Sequence, residues 1–288
     1  MNRTVLFCTI VSAATFAQAQ ETIYAVDEGN NLVSFKSNMP GTLLSNVKIT
    51  GMSSGASMVG IDFRPNGGGL YGVGSDNKVY TINRMTGMAM AVGSGFSSSL
   101  SGISFGVDFN PTVDRIRVTS DANQNLRLHP ITGATVSIDG SLNYVSGDIN
   151  FGQDPSIVGS AYINNKAGAT STVLYNIDSN TDSLVIQNPP NAGGLVTVGA
   201  MGVDTNEWVG FDVSGFTGSA YCSLTTPGLN VSSSNLFMMN LATGSPMFIG
   251  TIGSGDCKRI TSLTAVPEPA TMIALAAGLG TLVRRRKR

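Results

Sequence analysis

Residues 22–266 show almost no helical period in their hydrophobic and polar positions. Short runs rich in Val, Ile, Tyr and Phe alternate with clusters of Gly, Ser, Asn and Asp, the pattern of short strands joined by tight turns. These runs recur as sets. "LYGVGSDNKVYTINRMTGMAMAVG" (Leu70–Gly93) reads strand, turn, strand, turn, strand, and "IRVTSDANQNLRLHPITGATVSID" (Ile116–Asp139) repeats that order. So do "IYAVDEGNNLVSFKSNMPGTLLSNVKI" near the start, "TVLYNIDSNTDSLVIQNPPNAGGLVTVG", and "AYCSL" followed after an insertion by "NLFMMNLATGSPMFIG".

The residue closing the second strand of each set fixes the register: Lys36, Asn83, His129, Asn188 and Asn240, separated by 47, 46, 59 and 52 residues. That period matches propeller blades. Glycines follow as Gly41, Gly87, Gly133 and Gly244, where a positive φ is expected. A further strand precedes four of the sets: Val59–Pro65, Gly106–Pro111, Val158–Asn164 and Val209–Gly215. The first set lacks one, and "RITSLTAV" (Arg259–Val266) supplies it from the far end. The prediction is an all-β propeller of five four-stranded blades, its ring closed by the C-terminal strand, which removes the open sheet edges. Six blades is the alternative, if "SLNYVSGDINFG" hides a degenerate sheet. A two-sheet sandwich fits less well, because its strands do not recur in fours.

The ends of the chain have a different composition. Residues 1–19 carry Arg3, the apolar run "VLFCTIVSAATFA" and the small-x-small triplet Ala17-Gln18-Ala19, the layout of a secretory signal peptide. Cys8 falls inside the apolar run. Residues 267–288 carry Pro267-Glu268-Pro269, fourteen uncharged residues and the cluster Arg284, Arg285, Arg286, Lys287, Arg288. The apolar run is shorter than the roughly 20 residues that span a bilayer, and the cations beside it place that end on the cytoplasmic side. Without these two ends, residues 20–269 hold 11 basic and 18 acidic residues. This acidic domain has no basic stripe for nucleic acid.

The order Pro-Glu-Pro, apolar helix, Arg cluster closely resembles the PEP-CTERM sorting signal of Gram-negative bacteria. The resemblance implies processing by an exosortase-type enzyme, a passing membrane attachment through the C-terminal helix, and delivery to the cell envelope, outer surface or extracellular matrix. An ordinary C-terminal anchor is the plainer alternative. The runs "GIDFRP…LYGVGSDNKVYTIN…TG" and "SFGVDFNPTVDRIRVTSDANQNLRLHPITG" resemble a domain-of-unknown-function family of exported bacterial proteins over most of residues 22–255. That family brings no activity and no catalytic residues to carry over.

Candidate chemistry lies in two places. One face of the ring gathers the loops "DEGNN", "SDNK", "SDANQN" and "DSNTD", giving Asp27, Asn30, Asp76, Asn77, Asp121, Asn123, Asp178, Asn180 and Asp182, with Asp148 and Asp154 in a blade link. Two readings compete: turn formation by Asp and Asn, and a bound Ca²⁺, the one cofactor such oxygen-rich loops suggest. The stretch Asp178–Asp182 starts like a calcium loop but lacks its later ligands. The second place is the channel, where Asp62, Asp108 and Asp212 occupy one matching position of the innermost strands. They serve either as blade ties to backbone N–H groups or as a metal or water site.

His129, the only histidine, aligns with turn residues, and no nucleophile elbow accompanies it. Arg115, Arg117 and Arg127 gather in the third blade, either to clamp an anion or to pair with Asp114 or Asp121. Trp208, Tyr24, Tyr71 and Tyr80 suit packing between blades; for Trp208, near the blade link "DTNEW", sugar stacking is the alternative. Cys222 and Cys257 are a candidate disulfide pinning the closure. The chain therefore reads as a non-enzymatic binding propeller for polysaccharide, ions or surface proteins. The other reading is a hydrolase or lyase of extracellular polymer that uses the channel acids or the loop face.

Overall fold

The runs rich in β-branched and aromatic residues form strands in a computed structural model that describes residues 20–226, 232–255 and 258–266. After β1 (Thr22–Asp27), β2 (Asn31–Lys36) and β3 (Met39–Lys48) come four complete antiparallel blades. The second holds β4 (Met58–Phe63), β5 (Leu70–Gly74), β6 (Lys78–Ile82) and β7 (Ala89–Val92). The third holds β8 (Phe105–Asn110), β9 (Arg115–Ser120), β10 (Asn125–Leu128) and β11 (Thr135–Ile138). A two-residue strand, β12 (Asn143–Tyr144), precedes the fourth, made of β13 (Ile157–Tyr162), β14 (Leu174–Asp178), β15 (Ser183–Gln187) and β16 (Gly194–Ala200). The fifth holds β17 (Val209–Val213), β18 (Ala220–Leu224), β19 (Asn235–Met239) and β20 (Pro246–Thr251). The last strand, β21 (Ile260–Ala265), pairs with β1 and makes the first sheet β21-β1-β2-β3. The predicted five-bladed ring and its closure are therefore both present.

Ring closure is specific in register. Ile23 lies opposite Ala265 and Ala25 opposite Leu263, and the Val266 N–H donates to the Thr22 carbonyl at 2.9 Å. Ile260 and Leu263 are buried with Ile23, Val33, Tyr221 and Leu236, so the apolar layer between the fifth and first blades needs both chain ends. Comparable layers join the first blade to the second, the second to the third, and the fourth to the fifth. Aromatic edges cross two of these seams, Tyr24 against Phe63 and Tyr71 against Phe109, with ring centroids 5.9 and 5.4 Å apart.

The segment weighed as a sixth blade adds only a strand to the fourth. Asn143 and Tyr144 pair parallel with Gly194 and Leu195 at its outer edge, and Leu142 and Tyr144 bury their side chains with Val185 and Leu195. Gly87, Gly133 and Gly244 have the expected positive φ of 72°, 68° and 80°. Gly41 does not share it. Only Ser37 and Asn38 separate β2 from β3, so the turn is complete before the glycine, which lies within β3.

A different glycine set shapes the centre. Gly60, Gly106, Gly159 and Gly210 recur in the innermost strands, two residues before Asp62, Asp108, Ala161 and Asp212. A Cβ on Gly60 would lie 2.2 Å from the Val107 side chain, and one on Gly210 would lie 2.5 Å from the Leu263 backbone nitrogen. Neighbouring inner strands come that close only because these positions carry no side chain.

Candidate functional site

Asp62, Asp108 and Asp212 come from β4, β8 and β17. They place one carboxylate oxygen each within 4.8 Å of the others, and each residue is 1% exposed. Each also reaches the next blade. Asp62 Oδ2 accepts from the Phe109 N–H at 2.7 Å, Asp108 Oδ1 from the Tyr162 N–H at 3.2 Å, and Asp212 Oδ2 from the Ala265 N–H at 2.7 Å. In the first blade Thr264 stands at the matching position and accepts from the Phe63 N–H at 3.4 Å. Four of the five blades therefore repeat one contact. The fourth has Ala161 there and makes none through its side chain.

Tying the blades does not use up these groups. Thr264 Oγ1 lies 2.9 Å from Asp62 Oδ1 and 3.1 Å from Asp212 Oδ2, and one hydroxyl proton can serve only one of them. Asp108 Oδ2 and Asp212 Oδ1 are buried and take no hydrogen bond from an N–H or hydroxyl; the two carboxyls face each other, and this contact itself helps to raise Asp108. Burial, with mutual repulsion behind it, raises the carboxyls of Asp62 and Asp108 well above the usual range. Burial raises Asp212 to about 6, opposed by its hydrogen bonds from the Ala265 N–H and Thr264.

The loop-face residues serve the turns. Asn30, Asn77, Asn123 and Asp182 sit at positive φ, between 48° and 61°, a conformation these short polar side chains tolerate. Their carbonyls accept from the blade links at Ile49, Phe96, Leu142 and Met201. Their side chains add bonds at 2.9 Å from the N–H groups of Met58, Leu100 and Thr205, to Asn30, Asn77 and Asp182 respectively. Asn123 donates to Asp154. Asp27 accepts from Asn31, Asp76 from Tyr80, Asp121 from the Ile103 N–H, and Asp178 from Tyr144 and the N–H groups of Ser156 and Asn180. Asp148 accepts from Thr197. Among the described residues, the three channel acids form the one group of three or more potential metal ligands.

His129 acts as a turn residue: its Nδ1 accepts from the Ile131 N–H at 3.1 Å, as Asn83 and Asn240 do in their own turns. The arginine cluster pairs differently from expectation. Arg117 is 1% exposed and donates to Asp139, Asn125, Asn191 and Tyr162. Arg127 forks onto both oxygens of Asp139 at 2.8 and 2.9 Å. Asp114 pairs with Arg64 instead, and Asp121 is taken by its own loop. The register decides this, because Arg127 lies opposite Ser137, two residues from Asp139. Arg117 and Arg127 are thus committed within the fold. Cys222 is a free, fully buried thiol whose surroundings raise its pKa. Cys257, Pro267, Glu268, Pro269 and the expected C-terminal helix lie outside the described residues. Among the described residues no helix is long and apolar enough to cross a membrane.

A cavity of about 280 Å³ lies at the mouth of the channel on the loop face, lined by Asp27, Glu28, Ile103, Glu207, Trp208 and Thr261 among others. Arg259 stacks on the Trp208 ring at 4.3 Å and pairs with Glu28, while the indole N–H is buried without a partner. Ile103 is 80% exposed. Sequence reading missed this grouping and also Thr264. Aligning "SLTA" with "GIDF" puts Thr264 at the aspartate position, but the cavity joins the starts of four inner strands, whose side chains share no motif.

A family model described as Domain of unknown function (DUF4394) matches residues 31–264. One described as a PEP-CTERM protein-sorting motif matches residues 265–287. No curated protein matches the chain. Among solved structures, a Bacteroides thetaiotaomicron VPI-5482 protein of unknown function is similar at 14% identity and a TM-score of 0.52, covering 88% of this chain and 66% of that one. A chain of the nidogen/laminin complex is similar at 10% identity and 0.48, covering 86% and 98%. Myxococcus xanthus glutaminyl cyclase is similar at 11% identity and 0.43, covering 71% and 92%. Likeness at such identities concerns the fold alone.

Proposed function

Because the chain belongs to the DUF4394 family and carries a PEP-CTERM motif that directs export through an exosortase system to the cell envelope, we propose a non-enzymatic, surface-displayed or matrix propeller. It binds polysaccharide or a surface protein at the channel mouth. The observation that supports this reading is where the channel acids sit. Asp62, Asp108 and Asp212 are 1% exposed and bonded across blades. A polymer chain has no contact with carboxylates so enclosed, and general acid–base work needs hydrogen-bond reach of the reacting atom. The mouth, in contrast, presents Trp208, Ile103 and two glutamates beside a ligand-sized cavity.

Binding of the exported chain to exopolysaccharide and surface proteins from its own cells, captured on a sensor surface, tests this. Trp208→Ala is expected to weaken binding by about tenfold or more, as loss of a buried aromatic anchor does, with no sugar or peptide product released by either protein. Release of product by the wild-type chain, abolished in Asp108→Asn, would establish the hydrolase or lyase reading instead.

A further inference from the structure

We propose that Asp62, Asp108 and Asp212 hold one hard divalent cation of the Ca²⁺ class at the hub of the ring. Geometry is the first ground. Oxygens bound to such a cation at about 2.3–2.6 Å lie no more than about 5 Å apart, and the three carboxylates offer oxygens within 4.8 Å of one another. The second ground is the hydrogen-bond inventory. Asp108 Oδ2 and Asp212 Oδ1 are buried acceptors with no donor, although both carboxylates have their other oxygen fixed by a backbone N–H of the next blade. A carboxylate held by one oxygen with the other left bare is oriented the way outer bonds orient metal ligands.

Charge is the third ground. Among the described residues none of the ion pairs includes these acids. The strongest charges acting on them are their own and that of Glu21. Two or three negative groups so buried cost several kcal/mol each unless a positive partner arrives. An all-oxygen set without His or Cys selects a hard cation over Zn²⁺ or copper. The loop-face acids have no such bare pair at one point. The cation therefore belongs to the hub, joining the second, third and fifth blades.

The full exported chain, unfolded in chelator and refolded with or without Ca²⁺, Mg²⁺ or Mn²⁺, should retain about one equivalent of one of these ions after dialysis. It should also melt higher with that ion than without it. Asp212→Asn and Asp108→Asn should each weaken retention beyond the roughly 10–100-fold that loss of an outer partner costs. Asp154→Asn, an exposed loop acid, should not. If neither hub variant folds, the wild-type stoichiometry and the ion-dependent melting decide alone. Wild-type protein that holds no ion and melts identically with and without each one overturns the proposal, leaving protons as the neutralising charge. One equivalent retained by both hub variants overturns it equally.

Discussion

Arg117 shows how one side chain can commit a surface to structure. It is buried, yet its guanidinium has four named acceptors: Asp139, Asn125, Asn191 and Tyr162. Replacing Asp139 by Asn leaves that cation enclosed and unpaired, and should lower stability by about 3–5 kcal/mol in urea unfolding. The same group sets an acid limit. Burial pushes the Asp139 carboxyl up, but hydrogen bonds from Arg127, Ser137 and Arg117 outweigh it and hold the carboxyl below its usual range. A depressed folded value gives stability that is present above the unfolded value of about 3.9 and lost as pH falls below it. Unfolding followed from pH 7 to pH 2 should show this loss begin near pH 4 in the wild type and be weaker in Asp139→Asn. Sequence reading identified the arginines but not their partner. Asp139 sits at the far end of a strand, and only the hairpin register brings it beside Arg127.

Four of the five inner strands carry a glycine that lets a neighbour approach. Gly210→Ala puts a methyl 2.5 Å from the Leu263 backbone nitrogen, and a backbone atom cannot rotate away. The expected cost is about 1–3 kcal/mol, read as a lower midpoint in urea. Gly210→Ser should cost at least as much. The inner strands were legible because their apolar runs recur with Gly and Asp at fixed places. That recurrence predicts five blades, with six as the alternative, and puts Asp62, Asp108 and Asp212 at one matching position; their convergence is given by the structure. The first blade was less transparent at this level. Its inner strand carries Ser262 and Thr264 where the others carry glycine and mostly aspartate, so Thr264 went unassigned. The seam between the third and fourth blades also departs from the pattern. There Thr119, Ser160, Asn176 and Gln187 form a buried chain of hydrogen bonds. Sequence patterning tuned to apolar alternation does not register such a layer, although a satisfied polar network of this kind fixes geometry strongly.

At the scale of the ring, the last strand is a structural requirement. Deleting residues 260–265 removes Ile260 and Leu263 from the apolar layer between the fifth and first blades and opens an edge on β1. It also removes Thr264, the first blade's link to both neighbours. At about 1.5–3 kcal/mol for each large apolar side chain, the melting temperature should fall by roughly 10 °C or more. A truncated chain melting unchanged would contradict closure by this strand. Cavity and acids separate along the same axis, the first open on the loop face and the second sealed within the channel, so the proposed binding site and the blade ties use different residues.

The direction of β21 has one more consequence. The strand begins beside the cavity, where Thr261 lines it, and ends opposite Ile23, at the start of β1. Val266 therefore emerges on the far side of the disc from Trp208. Any attachment made downstream of Val266 would act as a stalk fixed to the underside, leaving the face that carries the cavity turned away from the point of attachment.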